Sequence, residues 1–79
     1  MVKREGGMVM AESEIVFVAE EDDEGGYTAY ALGHAIYTQG DTEEELLANI
    51  REAVRCHFDD KDRPSLIRVH YVRDVVIAP

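Results

Sequence analysis

The residues of this chain that could do chemistry are mostly carboxylates, and five of them are consecutive. Acids occupy positions 20–24 and are followed by Gly25 and Gly26. Carboxylate oxygens bind calcium, but an EF-hand loop needs ligands at alternate positions and a distal Glu, and this run has neither. The run therefore predicts a solvated hairpin tip, and we expect no metal site in it.

A magnesium-dependent nuclease is the second chemistry that the acids suggest. Such an enzyme needs carboxylates that converge from several elements of the fold. Further acids stand at Glu14 and at positions 43–45, but the sequence does not show that they meet the run at 20–24. We expect no catalytic residues, and therefore no enzymatic activity.

The three histidines and the single cysteine are the remaining ligands and nucleophiles. His34 stands in a predicted turn and His70 on the polar side of a predicted strand. His57 lies near the centre of an apolar helix stripe, so we expect it to be a buried, hydrogen-bonded packing residue. Cys56 is about 100° from His57 on a helix, so the two cannot share a metal ion. No acid is spaced to activate Cys56 through a histidine, which predicts a surface thiol and no cofactor.

The composition of the 79 residues favours one small globular domain. Apolar residues make up 46% and charged residues 32%, a balance that disordered chains lack. Seventeen acids against eight Lys and Arg leave a net charge of −9, which argues against a nucleic-acid binder because phosphate contacts need basic residues. Residues 1–50 carry a net −10 and residues 51–79 a net +1, so the first part predicts an anionic surface that attracts a cationic partner.

No segment of the sequence has the pattern of a signal peptide or a membrane span. The basic residues at positions 3 and 4 are followed by two glycines, not by the apolar run of roughly seven to fifteen residues that a signal peptide needs. No run approaches the roughly eighteen apolar residues of a transmembrane helix. One cysteine cannot form an intrachain disulfide. We expect a cytoplasmic protein with no membrane contact.

The residue patterns predict three strands, a helix and a fourth strand. β-Branched and aromatic residues predict strands over 14–20, 27–32 and 35–39, the first of them apolar on both faces. A helix is predicted over 42–58, with a capping box formed by Asp41 and Glu44 or by Thr42 and Glu45. Alternating residues predict the last strand over 66–72. The apolar stripe of the helix comprises Leu46, Leu47, Ile50, Ala53, Val54, His57 and Phe58.

The element order βββαβ predicts a two-layer α+β fold with a four-stranded, mostly antiparallel sheet. A right-handed crossover places the fourth strand parallel to the first, which yields the strand order 3-2-1-4 with the helix on one face. Residues 1–12 are expected to form a disordered tail and residues 13–79 the single domain. One helix cannot cover both faces, so we expect a homo-oligomer, a dimer or a tetramer, joined through Val75, Val76 and Ile77.

Three short motifs together resemble the HicB-like antitoxin family. They are an acidic hairpin that ends in Gly-Gly-Tyr, a Gly-Asp-Thr helix start, and Asn49-Ile50 followed by Glu52-Ala53 inside the helix; all lie within residues 14–58. The motif residues are Gly25, Gly26, Tyr27, Gly40, Asp41, Thr42 and Glu44. The resemblance implies a partial ribonuclease-H-like fold, which has the element order predicted above.

The same resemblance implies a function in a toxin–antitoxin system. In this family the domain binds and blocks a small messenger-RNA-cleaving toxin, HicA, and a following helix-turn-helix or ribbon-helix-helix domain binds operator DNA. The chain ends at Pro79 without such a domain, so direct DNA binding is not expected. It also has Gly33-His34-Ala35 where the family often has Pro-Gly-Cys. Two functions therefore stay open: a non-enzymatic module that neutralises a HicA-type toxin, and a stand-alone homo-oligomer without a toxin partner.

Overall fold

A computed structural model describes residues 13–79 as one sheet and one helix. Strands β1, β2 and β3 cover Glu14–Glu21, Tyr27–Ala31 and Tyr37–Gly40, helix α1 covers Glu43–His57, and strand β4 covers Leu66–Val72. The expected disordered tail concerns residues 1–12, which lie outside the described residues. Within the described part of the chain, no helix has the length and apolar character that crossing a membrane requires.

The four strands form one mixed sheet in the order β3-β2-β1-β4. β1 pairs antiparallel with β2, and β2 pairs antiparallel with β3. β4 pairs parallel with β1, because α1 returns the chain to the end of the sheet from which β1 began. The predicted α+β fold, with its strand order 3-2-1-4, is confirmed.

The turn between β1 and β2 is a tight hairpin that depends on two glycines. Gly25 and Gly26 have φ angles of 89° and 84°, a region that residues with a side chain rarely adopt. The Asp22 amide donates to the Gly26 carbonyl at 2.8 Å, and the Gly25 amide donates to the Asp22 carbonyl at 3.0 Å. The acidic run therefore lies at a hairpin tip, as predicted.

The third strand begins two residues later than predicted. The Ala31 amide donates to the Ile36 carbonyl at 3.0 Å, and the Ile36 amide donates to the His34 carbonyl at 2.9 Å. These bonds keep residues 32–36 in the turn, while the Ile36 side chain is buried in the core. The prediction of a strand from position 35 was wrong because the apolar residue of this segment anchors a turn.

Alternate residues of β1 and β2 face α1 and form the core. Phe17 pairs with Ala31, and Ala19 pairs with Ala29, so these side chains share one face of the sheet. α1 contributes residues spaced by four, which lie on one side of a helix. The buried core comprises Ile15, Phe17, Ala19, Ala29, Ala31, Ile36, Leu46, Ile50 and Val54.

Of the two capping boxes predicted from the sequence, the structure forms the one between Thr42 and Glu45. Thr42 is the N-cap residue, and its hydroxyl accepts a hydrogen bond from the Glu45 amide at 3.1 Å. The Glu45 carboxylate in turn accepts from the Asp41 amide at 2.6 Å. Two amides that the helix leaves without backbone partners are therefore satisfied by side chains.

Candidate functional site

Acids from three separate parts of the chain line one depression beside the hairpin tip, which we call the acidic depression. It has a volume of about 420 Å³. The hairpin supplies four carboxylates, the first residue of α1 supplies one, and the segment after β4 supplies one; Arg73 is the single base in the lining. The acids are Glu20, Glu21, Asp22, Asp23, Glu43 and Asp74.

The sequence could not show which acids converge. In the structure, some of them share the acidic depression and Glu14 lies elsewhere. Glu20 and Glu43 both line the acidic depression. Glu14 lies at the other end of β1, where Arg68 donates to its carboxylate at 2.7 and 3.3 Å. The hydrogen bond from Arg68 lowers the pKa of Glu14, which keeps that carboxylate ionised. The set Glu14, Glu20 and Glu43 therefore does not form one site.

Two tyrosines add aromatic surface to the same depression. Tyr27 and Tyr71 both line it, and the Tyr71 hydroxyl donates to Glu43 Oε2 at 2.7 Å. Partial burial of the phenol, together with the hydrogen bond and charge of Glu43, raises the pKa of Tyr71 to about 12. Tyr71 therefore stays a neutral hydrogen-bond donor at physiological pH and holds Glu43 in place.

The chemistry of this lining suits an organic cation. Six carboxylates against one guanidinium create a negative potential, and tyrosine rings attract Lys or Arg groups through their faces. A metal ion needs several ligands aimed at one point. Among residues 13–79, no group of three or more His, Cys, Asp or Glu side chains is placed to hold one.

The family-motif residues lie close together where the hairpin meets the start of α1. Tyr27 pairs with Gly40 across β2 and β3, so the hairpin lies against the helix start. A Cβ on Gly40 would lie 2.5 Å from the Leu46 amide nitrogen, which explains why this position needs glycine. Asp41 and Thr42 belong to the helix cap described above, and Glu44 is an exposed residue of the first turn. The motif therefore positions the hairpin and the helix relative to each other.

His57 is exposed, so the prediction of a buried packing residue was wrong. The buried row of α1 runs through Leu46, Ile50 and Val54, and a spacing of four continues it to Phe58. The His57 ring instead contacts the rings of His34 and Phe58, with centroid distances of 5.7 and 4.8 Å.

Cys56 and His70 lie where the sequence predicted, on exposed surfaces. The Cys56 thiol donates to Glu52 Oε2 at 3.4 Å, and this hydrogen bond raises the pKa of the thiol. A raised pKa lowers the thiolate fraction and hence the nucleophilicity of the residue. His70 pairs with Val18 on the face of the sheet opposite to α1.

The structure also shows a groove that sequence reasoning missed, between α1 and β4. The helix packs mainly against β3 and β2, so the β4 side of the covered face stays open. This α1–β4 groove has a volume of about 620 Å³. The large apolar side chains of its lining are Leu47, Ile50, Val54, Leu66, Ile67 and Val69, and its basic side chains are Arg51, Arg55 and Arg63.

Two known proteins, both described as UPF0150 proteins, are similar to the chain. The protein from Thermotoga maritima is 48% identical over 67 residues, which cover 85% of this chain and 94% of the relative. The protein from Archaeoglobus fulgidus is 50% identical over 52 residues, which cover 66% of this chain and 77% of the relative. Neither description mentions a HicB-like antitoxin. No family model and no solved structure matches the chain.

Proposed function

The chain belongs to the UPF0150 family, and from that premise we propose that it is a cytoplasmic, non-enzymatic module that binds a small basic protein through the acidic depression. The observation that carries the proposal is the convergence of six carboxylates from the hairpin, α1 and the segment after β4. Charges from separate elements form one surface here, which steers a cationic partner and speeds association.

The two tyrosines supply the aromatic contact surface that the carboxylates lack. Surface charge mainly raises the rate of association, whereas aromatic side chains at the centre of a patch supply most of the binding energy. Tyr27 is half-buried and Tyr71 is 41% exposed, so both offer ring surface to a partner. A lysine or arginine that enters the depression would meet the rings and the surrounding carboxylates together.

The partner class that we propose is a HicA-type messenger-RNA-cleaving toxin. The support is the resemblance of the hairpin and helix-start motifs to HicB-like antitoxins, together with the anionic surface that these motifs position. Binding at the depression would block the toxin by covering the basic surface that the toxin needs for RNA.

The test is an inhibition assay with a small basic HicA-type toxin and the unmodified chain. We expect the chain to suppress RNA cleavage, and we expect the double variant Asp23→Asn and Glu43→Gln to bind about tenfold more slowly. The matched control removes acids elsewhere, by Asp59→Asn and Asp62→Asn, and should bind like the unmodified chain. Equal loss in both variants would show that net charge, and not the depression, attracts the partner.

A stand-alone homo-oligomer without a toxin partner is the second candidate, supported by the exposed apolar side chains of residues 75–77. Co-purification with the product of a neighbouring gene for a small basic protein separates the two candidates. The non-enzymatic character is tested by incubation with Mg²⁺ or Mn²⁺ and RNA or an RNA–DNA hybrid. Metal-dependent cleavage that disappears in Glu20→Gln or Glu43→Gln would overturn it.

A further inference from the structure

Among residues 13–79, no strand pairs with the outer edge of β4. β4 is the last strand in the sheet order, and its inner edge pairs with β1 from Glu14 to Glu20. A seven-residue strand with free amides and carbonyls is a template for another strand.

The α1–β4 groove lies directly beside this open edge. Ile67 and Val69 belong to β4 and face the helix side of the sheet, where they form one wall of the groove. A strand added at the edge would therefore place every second side chain over the groove. A segment that pairs with this edge and covers the groove must favour β structure and have apolar residues at alternate positions.

Residues 75–77 are a segment of that kind. Val75, Val76 and Ile77 are 72%, 93% and 80% exposed and are the most exposed large apolar side chains of the described residues. We propose that residues 75–77 of a second copy of the chain pair with the outer edge of β4 and fill the α1–β4 groove, so that two copies form one continuous sheet.

The chain's own segment cannot occupy this groove. The groove runs along β4 from Leu66 to Val69, whereas residues 75–77 follow the last residue of the strand, Val72, about 10 Å beyond Val69. A tight hairpin through positions 73 and 74 would place residues 75–77 opposite residues 72–70, beyond the end of the groove. Residues 75–77 that fill the groove must therefore belong to another molecule.

The two β4 strands can pair antiparallel about a two-fold axis near Val72. Residues 75–77 of each copy then pair with β4 of the other copy. In this register Val75 of each copy lies opposite Val69 of the other, and Ile77 lies opposite Ile67. Directly opposed residues share a face of the sheet, so Val75 and Ile77 point over the partner's groove. Val76 points to the other face. The interface is isologous, as closed dimers require.

The first experiment measures mass in solution by light scattering at micromolar concentrations. We expect the unmodified chain to have twice the mass of one chain, and Val75→Lys with Ile77→Lys to have the mass of one. These positions are exposed in the single chain, so the variant should fold normally. Val76→Glu is the control and should stay dimeric, because its side chain points away from the groove and, in this register, lies opposite Arg68 of the partner subunit.

The second experiment tests the register by disulfide formation in a Cys56→Ser background. Ile67→Cys with Ile77→Cys should form a covalent dimer on oxidation, since opposed residues of an antiparallel pair lie within disulfide range. Ile67→Cys with Val76→Cys should not, because the two side chains point to opposite faces.

A monomeric unmodified chain would overturn the proposal, and so would loss of the dimer in Val76→Glu. The result is separable from the proposed function, because residues 75–77 do not line the acidic depression. Salt separates the two interactions further: screening should weaken the binding of a basic partner and strengthen the association of two chains of net charge −9.

Discussion

The two faces of β1 have similar side chains and very different surroundings. On the face toward α1, Ile15 and Phe17 are 2% and 0% exposed. On the other face, Val16 and Val18 are only partly buried, and Tyr30 of the neighbouring strand is 45% exposed. Hydrophobicity alone therefore does not decide burial here. The covering layer decides it, because a sheet face becomes a core only where a second layer excludes water.

The covered face is itself divided by the position of the helix. Its β2 and β3 half is closed by Leu46, Ile50 and Val54, which are almost fully buried. Its β4 half borders the α1–β4 groove, where Ile67 and Val69 remain partly exposed. Stability should therefore depend mainly on the closed half, whereas binding should use the open half and the acidic depression.

The largest loss of stability should come from removing a buried side chain beneath α1, in the half of the sheet face that the helix closes. Phe17→Ala removes a fully buried ring and should lower the free energy of unfolding by about 3–5 kcal/mol. Tyr30→Ala removes an aromatic ring of similar size from the opposite face and should cost about 1 kcal/mol. Urea unfolding of both variants measures the difference. Equal losses would mean that the open face is covered as fully as the helix side.

The next effect concerns the close approach of β3 and α1. Gly40→Ala places a Cβ 2.5 Å from the Leu46 amide nitrogen, so backbone must move and the free energy of unfolding should fall by about 1–3 kcal/mol. Gln39→Ala, at the preceding exposed position, should change it by no more than about 0.5 kcal/mol. Thermal unfolding of the pair tests the contact, and a neutral Gly40→Ala would contradict it.

A smaller effect is expected at the helix cap. Replacing Asp41 and Thr42 together by Ala should lower the free energy of unfolding by about 1–2 kcal/mol. Thr42→Ala alone should account for most of it, because the Thr42 hydroxyl accepts from the Glu45 amide. Asp41 contributes its backbone amide to the cap, which Asp41→Ala retains. An unchanged urea midpoint for Thr42→Ala would show that the cap is not used.

The last effect appears only at alkaline pH and is a shift of one titration at the acidic depression. The pKa of Tyr71 is about 12 in the folded chain against about 10 unfolded. The folded state therefore holds this proton more tightly, and the stability that it contributes is complete below pH 10 and is lost as the pH rises toward 12.

Ultraviolet absorbance of tyrosinate measures this titration directly. Glu43→Gln removes the accepting charge and should lower the pKa of Tyr71 toward 10, while Glu44→Gln, an exposed neighbour, should leave it unchanged. Tyr71→Phe should remove the absorbance change near pH 12. If that change persists in Tyr71→Phe, it does not belong to Tyr71.

Local residue patterns were enough to predict the elements and their order. The alternation of residues along β1 and their repeat every three or four positions along α1 predict which face is apolar. Gly25 and Gly26 predict the hairpin. From these and the handedness of crossovers, the strand order and the parallel pairing of β4 follow. The exposed positions of Cys56 and His70 were predictable for the same local reasons.

Which distant residues share a surface depends on how the elements pack, and no local pattern predicts it. The meeting of Glu20, Glu43 and Asp74, and the division of the covered face by α1, depend on where the helix axis crosses the sheet. His57 was misjudged because the buried row continues to Phe58, and one position on a helix changes direction by about 100°. Periodicity is a property of one element, whereas a groove or a depression exists only between elements, so its residues cannot be identified until those elements are packed.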